Sequence, residues 1–279
     1  MKLYYNELFL QHETGNCPEN PSRLQAFAGL KNTPVLYNEK LLNLAHDAEY
    51  ISAVKLACEK KVSLFQDVPL SLKSFETAVY AASLSVKAAE DSAFALLRPP
   101  GHHASFSSSR EYCIFNNIAI ATLSQVQKGK RVFVLDFDLH HGDGTESLLR
   151  GRSNLFYASL HQHSIFPGTG MQSSDNILNI PLAYGTRDTV YVNALEKKVA
   201  PALKEFRPDI VALSAGFDCY YKDQNVLGEG IGFSLTKRSF EKIRELVKPF
   251  PHFVVLEGGY RSDSLREGVS CFVPFEEWV

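Results

Sequence analysis

Short apolar runs alternate along this chain with longer stretches of helical periodicity. The runs Phe94–Leu97, Val132–Phe137, Leu155–Leu160, Ile210–Ser214 and Phe253–Leu256 are dominated by Val, Ile, Leu, Phe and Ala. They lack the in–out alternation of a half-exposed strand. Between them Ser74–Ala89, Asn116–Lys128, Thr189–Phe206 and Thr236–Val247 place apolar residues at i, i+3 and i+4, the face of an amphipathic helix. Strands apolar on both faces and separated by helices predict an α/β fold with a mostly parallel, doubly covered sheet. No internal repeat or linker-like Gly/Ser run interrupts the pattern. A single domain over residues 1–279 is expected.

Each strand candidate runs into a loop rich in Gly, His and Asp: Arg98–His103, Asp136–Gly144, His161–Gly170, Ala215–Asp218 and Glu257–Tyr260. In open α/β sheets the carboxyl ends of the strands form the ligand crevice, so five such loops predict one active site. The densest is the end of Val132–Phe137, where Asp136, Asp138, His140, His141 and Asp143 follow an apolar strand. Carboxylates near a core must be paired, hydrogen-bonded or bound to metal. Asp138 and His140, two apart on extended chain, share a face and can give one divalent metal an oxygen and a nitrogen ligand.

Other loops add chemistry. After Pro99-Pro100-Gly101, the adjacent His102 and His103 can line one pocket, and imidazole suits proton transfer near neutral pH. Asp136 and Asp143 can orient them through Nδ1. Asp218 either completes an Asp/His/Asp shell or caps a helix. Gly258-Gly259 permit close backbone approach and allow Tyr260 to project its hydroxyl into the pocket.

Composition narrows the class. A formal net charge of −2 argues against a general nucleic-acid or anionic-membrane binder. No apolar run reaches bilayer length and the N-terminus lacks a secretory signal pattern, so a cytoplasmic protein is expected. The five cysteines are scattered without a CxxC pair, which fits buried free thiols rather than a disulfide framework or structural zinc knot.

Taken in order, Pro18-Glu19-Asn20-Pro21-Ser22-Arg23, Arg98–His103, Asp136–Thr145, Phe166–Gly170, Ser214–Asp218 and Glu257–Tyr260 resemble the histone deacetylase and acetylpolyamine amidohydrolase family of the arginase–deacetylase superfamily. The glutamate before Gly-Gly-Tyr is similar to the class II branch, and the length to bacterial-type members with minimal loops. The resemblance implies an arginase–deacetylase fold: one three-layer domain with about eight strands. It implies zinc-dependent removal of acetyl, or another short acyl group, from acyl-lysine in peptides or proteins, with acetylated polyamines as the alternative substrate. An inactive acyl-lysine-binding module is the remote rival.

Residue by residue, the resemblance makes Asp138, His140 and Asp218 the metal ligands. The paired histidines are His102 and His103, oriented by Asp136 and Asp143, with His103 as general base and acid. Tyr260 is the transition-state tyrosine. Tyr112 and Phe166 match the aromatic walls of the substrate tunnel, Gly101 and Leu227 lie among the substrate-contacting positions, and Asp67 matches a rim aspartate. Main-chain carbonyls of Asp136, Asp138, His140, Ser159 and Leu160 match a structural monovalent-cation site, usually potassium. Arg23 matches an arginine beside an internal acetate-release cavity. The ligand set, two carboxylates and an imidazole, suits Fe²⁺ as well as Zn²⁺. Two positions depart from the family pattern: Glu111 replaces a glycine, and Cys17 stands where many members have histidine. Both bear on substrate preference, as does the gate region, where Leu227 favours acyl-lysine while Glu229 lies two residues on.

Overall fold

The unbroken apolar runs form the middle of one parallel sheet. The computed structural model describes residues 1–65 and 67–278. In chain order the strands are β1 (Leu3–Tyr4), β2 (Phe94–Ala95), β3 (Val132–Asp136), β4 (Leu155–Gln162), β5 (Ile177–Leu182), β6 (Ile210–Ala215) and β7 (His252–Leu256). They lie side by side as β1-β2-β7-β6-β3-β4-β5, every pair parallel. Among the described residues the sheet has seven strands, where the resemblance implied about eight. The five predicted strands are all present, although β2 stops at Ala95. The edge strands β1 and β5 were not anticipated: β1 has only two residues, and Asn179 and Pro181 break the apolar run of β5. Proline is tolerated there because an edge strand leaves one side unpaired.

The helices are α1 (Ala48–Lys60), α2 (Ser74–Asp91), α3 (Asn117–Gln127), α4 (Asp143–Leu149), α5 (Asp188–Ala194), α6 (Ala200–Phe206), α7 (Lys237–Val247) and α8 (Ser262–Ser270). The predicted helix over 189–206 is α5 and α6 joined through one π turn at Leu195–Val199. The helices flank the sheet. Helices α2 and α3 pack on each other and on β7, β3 and β6. Phe206 of α6 meets Phe133 and Phe156 of the sheet, and Phe240 of α7 meets Phe137 and Phe217. A Phe ring buried completely, as Phe133, Phe137, Phe217 and Phe240 are, contributes about 1.5–3 kcal/mol. No helix among the described residues is long and apolar enough to cross a membrane.

Behind the loop that follows β2 lies a buried ion network. The Glu19 carboxylate accepts hydrogen bonds from Arg98 Nε, from Arg98 Nη2 (2.8 Å) and from Arg23 Nη1 (2.9 Å). Burial alone would raise the Glu19 pKa, but Arg98 and Arg23 overcome it and bring it down to about 2. A carboxylate whose folded pKa lies below its unfolded value stabilises the fold above the unfolded value, 4.5, and loses that stabilisation as pH falls toward about 2. Glu19→Gln leaves two buried guanidinium groups short of a counter-charge. Urea denaturation at pH 7 is expected to show a loss of about 3–5 kcal/mol, shrinking as pH is lowered from 4.5 toward 2. A variant as stable as wild type at pH 7 would contradict this account of the network.

Candidate active site

Strand β3 continues to β4 on one side, and the chain later returns as β6 on the other. This reversal of strand order opens a crevice at the carboxyl ends. Asp138 and His140 leave β3 into it and Asp218 leaves β6. Their ligand atoms lie within 4.8 Å of one another, and all three residues are buried. His140 Nδ1 is 3.1 Å from Asp218 Oδ2 and 3.3 Å from Asp138 Oδ1. Gly258 N donates to Asp138 Oδ2 (2.8 Å), and Leu139 N donates to Asp218 Oδ1 (3.0 Å). Glycine is required here, since a Cβ on Gly258 would stand 2.6 Å from an oxygen of each carboxylate.

The electrostatics of this group call for a cation. Burial and the charge of Asp138 push the Asp218 carboxyl upward. Burial also works against a charged His140, yet its hydrogen bonds to Asp138 and Asp218 lift it to about 10. The two carboxylates thus hold a proton on the imidazole between them, which a metal ion would replace. Two oxygens and one nitrogen leave coordination positions open, as in catalytic metal sites. The residues present fit a divalent ion.

The paired histidines stand beside this group. Their rings are 4.0 Å apart between centroids. His102 Nδ1 faces Asp136 Oδ2 (3.3 Å), and His103 Nδ1 faces Asp143 Oδ1 (2.7 Å). The two environments drive the imidazoles apart. Burial opposes charge on His102, but Asp138 and Asp136 outweigh it and hold its pKa well above the ordinary value. For His103, burial and then the charge of His102 outweigh the help of Asp143 and bring it down to about 3. His103 is therefore a neutral imidazole with Nδ1–H donating to Asp143, which leaves Nε2 free to accept a proton.

Several contacts hold the Pro99–Ala104 loop. Asn116 caps α3 by accepting from Ala119 N (2.9 Å) and donates to Ala104 O (2.9 Å). Asn117 donates to Pro99 O (3.0 Å). Gly101 N (2.7 Å) and His102 N (3.1 Å) both donate to Glu257 Oε2. Burial, with opposing help from His102, leaves the Glu257 pKa at about 7. Tyr260 follows three residues on. Its backbone N–H donates to Asp223 Oδ1 (2.7 Å), its ring lies 5.2 Å from the Arg23 guanidinium, and burial raises its hydroxyl well above the ordinary value. Tyr260 remains a hydroxyl donor at neutral pH.

Around these groups Tyr112 packs edge-on against Tyr260 (centroids 6.1 Å) and Phe166 against His103 (5.0 Å). Tyr112 also lines a cleft of about 500 Å³ with Asp67, Glu111, Cys17, Thr14, Pro18 and Pro69, and Asp67 O accepts from Tyr112 N (2.8 Å). Asp67 and the two departing residues Glu111 and Cys17 therefore share one wall. Leu227 is half-buried and Glu229 exposed on the loop after β6. Arg23 is buried and donates to Gly259 O and Glu257 O (both 2.6 Å), gripping the turn that carries Tyr260. The β3–β4 register sets Asp136 opposite Ser159, with Leu160 next along β4.

Four contributors were missing from the sequence reading: Glu257 as the anchor of the histidine loop, Asp223 under Tyr260, Tyr157, whose hydroxyl donates to Asp136 Oδ2 (3.0 Å), and Glu19. Glu19 and Glu257 lie inside segments that carry the family resemblance and Asp223 is a second aspartate five residues beyond Asp218, but nothing in their spacing gives these supporting contacts.

Known proteins resemble the chain along nearly its whole length. A histone deacetylase domain is recognised over residues 17–274. An uncharacterized protein of Synechocystis sp. is 36% identical, covering 96% of each chain. A histone deacetylase-like amidohydrolase of Pseudomonas aeruginosa is 33% identical over 91% of this chain and 70% of its own. The crystal structure of the HDA15 HD domain superposes with a TM-score of 0.90 at 27% identity, covering 98% of this chain and 90% of the other. With the parallel sheet and the strand-end cluster in place, these similarities establish that the chain belongs to the histone deacetylase domain family, as a hydrolase of that family.

Proposed function

We propose that this protein is a zinc-dependent deacylase that hydrolyses acetyl-lysine, or a closely related short acyl-lysine, in peptides or proteins. The observation that carries the reading is the juxtaposition of a buried Asp138–His140–Asp218 group with a neutral His103. Asp138, His140 and Asp218 would hold the metal, which when bound polarises a carbonyl and lowers the pKa of water. Fe²⁺ fits the same donors.

The protein's own residues supply the rest. His103, fixed by Asp143, accepts the water proton at Nε2 and afterwards delivers it to the leaving amine. His102, beside Asp136 and Asp138, stays charged and adds positive potential next to the reacting carbonyl. The Tyr260 hydroxyl donates to the developing oxyanion. Arg23 and Asp223 hold that tyrosine from below, and Arg23 also borders the path we assign to the departing acetate. Tyr112 and Phe166 form the walls for the lysine methylenes, with Gly101 and Leu227 at the substrate surface and Asp67 at the rim. Carbonyls of Asp136, Asp138, His140, Ser159 and Leu160 would take a structural K⁺. Five free thiols fit a reducing compartment, the cytoplasm.

Tyr260→Phe removes one oxyanion donor while keeping the ring against Tyr112 and Arg23. Its kcat on an acetyl-lysine peptide is expected to fall about 10²–10³-fold, with little change in KM. Unchanged turnover would remove Tyr260 from the mechanism. A second reading, hydrolysis of acetylated polyamines, is favoured by the carboxylates of Glu111 and Asp67 in the cleft beside Tyr112, which suit a substrate carrying a free ammonium. Assaying an acetyl-lysine peptide beside N-acetylputrescine separates the two. A higher kcat/KM for the peptide supports the first, and a strong preference for the polyamine replaces it.

A further inference from the structure

His140 is followed by a second histidine that the mechanism leaves unused. His141 is buried and bridges two elements: its Nε2 lies 2.9 Å from Glu146 Oε2 on α4, and its Nδ1 2.8 Å from Thr169 Oγ1. Its ring packs on that of His161 at the end of β4, with centroids 4.7 Å apart. His161 in turn reaches Gly170 O through Nε2 (3.0 Å) and Ser159 Oγ through Nδ1 (2.8 Å). The partners fix the tautomers. A carbonyl only accepts, so His161 carries its proton on Nε2 and accepts from Ser159. A carboxylate only accepts, so His141 donates from Nε2 to Glu146, and its Nδ1 pairs with the Thr169 hydroxyl. Asn179 of β5 donates to the same Glu146 oxygen (2.7 Å), so α4 and β5 share this anchor.

Two of these contacts, His141 to Thr169 Oγ1 and His161 to Gly170 O, fall on the segment Phe166–Gly170. Gly170 is at φ +76°, and a Cβ there would come within 2.6 Å of both His141 Cγ and His161 Nε2. The backbone lies flush against the two imidazoles, and only glycine combines that conformation with that approach. At the other end of the same segment Phe166 stands edge-on against His103. Thr169 itself is exposed, so its side chain gains little from burial and its bond to His141 is what ties it down.

We propose that His141 is a positioning residue: with Glu146 and His161 it locks the Phe166–Gly170 segment and so sets the tunnel wall that Phe166 makes beside His103. This rests on the reading of Phe166 as a substrate wall. It gives separate work to the two adjacent histidines, His140 toward the metal and His141 toward the wall.

Two variants test it in the zinc-loaded full chain, with zinc content measured in each. His141→Phe keeps a ring on His161 but removes both hydrogen bonds. Thr169→Val removes one of them at a position remote in sequence from the metal ligands. Each is expected to raise KM for an acetyl-lysine peptide about 3- to 10-fold with kcat within about twofold, the scale of one or two lost hydrogen bonds. In a Phe166→Ala background neither should raise KM further, because residues acting through one element are not additive. Hydrogen exchange of the 168–170 amides should quicken in both variants. Unchanged exchange overturns the lock, as do KM effects that multiply fully with Phe166→Ala. If Phe166→Ala alone leaves KM unaltered, the wall reading fails instead, and the exchange result still decides whether His141 holds the segment.

Discussion

Asparagine at Asp218 is expected to strip the protein of its metal and its turnover while leaving it folded. The Asn side-chain oxygen can keep the hydrogen bond from Leu139 N that Asp218 Oδ1 now accepts. Its amide nitrogen replaces Oδ2, the oxygen facing His140 Nδ1, so the site loses an anionic ligand and a unit of charge together. Metal catalysis supplies several kcal/mol of transition-state stabilisation, so kcat should drop by about 10³-fold or more at ordinary zinc concentrations. The metal-free fold should survive because two effects oppose each other: losing the charge relieves a carboxyl that burial and Asp138 push upward, while His140 loses one of the two hydrogen bonds that hold its proton. Circular dichroism of metal-free Asp218→Asn should match that of metal-free wild type. An active, metal-loaded variant would show that Asp218 is not a ligand.

His103→Ala carries the second large effect. With Nδ1–H committed to Asp143 and burial plus the charge of His102 keeping the ring neutral, His103 presents its lone pair at Nε2. Removing a positioned general base lowers the rate about 10²–10⁴-fold. The loss should fall on kcat, because Phe166 and Tyr112, the proposed tunnel walls, are untouched, and added imidazole should restore part of it by entering the vacated space. A kcat within tenfold of wild type would transfer the proton-handling role to another group. Asp143 and Asp136 differ in the same sense: the short bond belongs to the neutral ring, whereas Asp136 divides its Oδ2 between His102 and the Tyr157 hydroxyl.

Much of this arrangement was legible in the chain, for identifiable reasons. The central strands are buried on both faces, so their sequences are continuous apolar runs with little else to be. Strand β5 departs from that pattern at the sheet edge, where Asn179 and Pro181 are tolerated, and β1 is too short to show a period. Asp138 and His140 could be paired from spacing alone because they are near neighbours on extended chain. The partnerships of His102 with Asp136 and His103 with Asp143 join the loops after β2 and β3, which β7 and β6 separate in the sheet. The supports did not declare themselves. Glu257 reaches Gly101 across 156 residues and Arg23 reaches Gly259 across 236, and although both lie in segments that carry the resemblance, periodicity and spacing reveal neither contact. Helix α4 was hidden because it begins at Asp143, inside a glycine-rich segment that reads as loop.

The buried catalytic group and the cleft beside Tyr112 are built on different elements. The metal group and the imidazoles are defined by buried side chains on rigid strand ends. The cleft proposed to meet the substrate is lined by Glu111, Cys17 and Asp67 on loops, and Glu111 and Cys17 depart from the family pattern. Glu111 places a carboxyl group, pushed upward chiefly by burial, where a glycine would leave open space.

The central claim is that turnover needs a metal held by Asp138, His140 and Asp218. Its most direct test is to strip the wild-type protein with a chelator and follow lysine release from an acetyl-lysine peptide as zinc is added back. Activity should be near zero at the start and rise to a plateau at one zinc per chain. Full turnover in the stripped protein, or none at any zinc or iron concentration, would contradict the account.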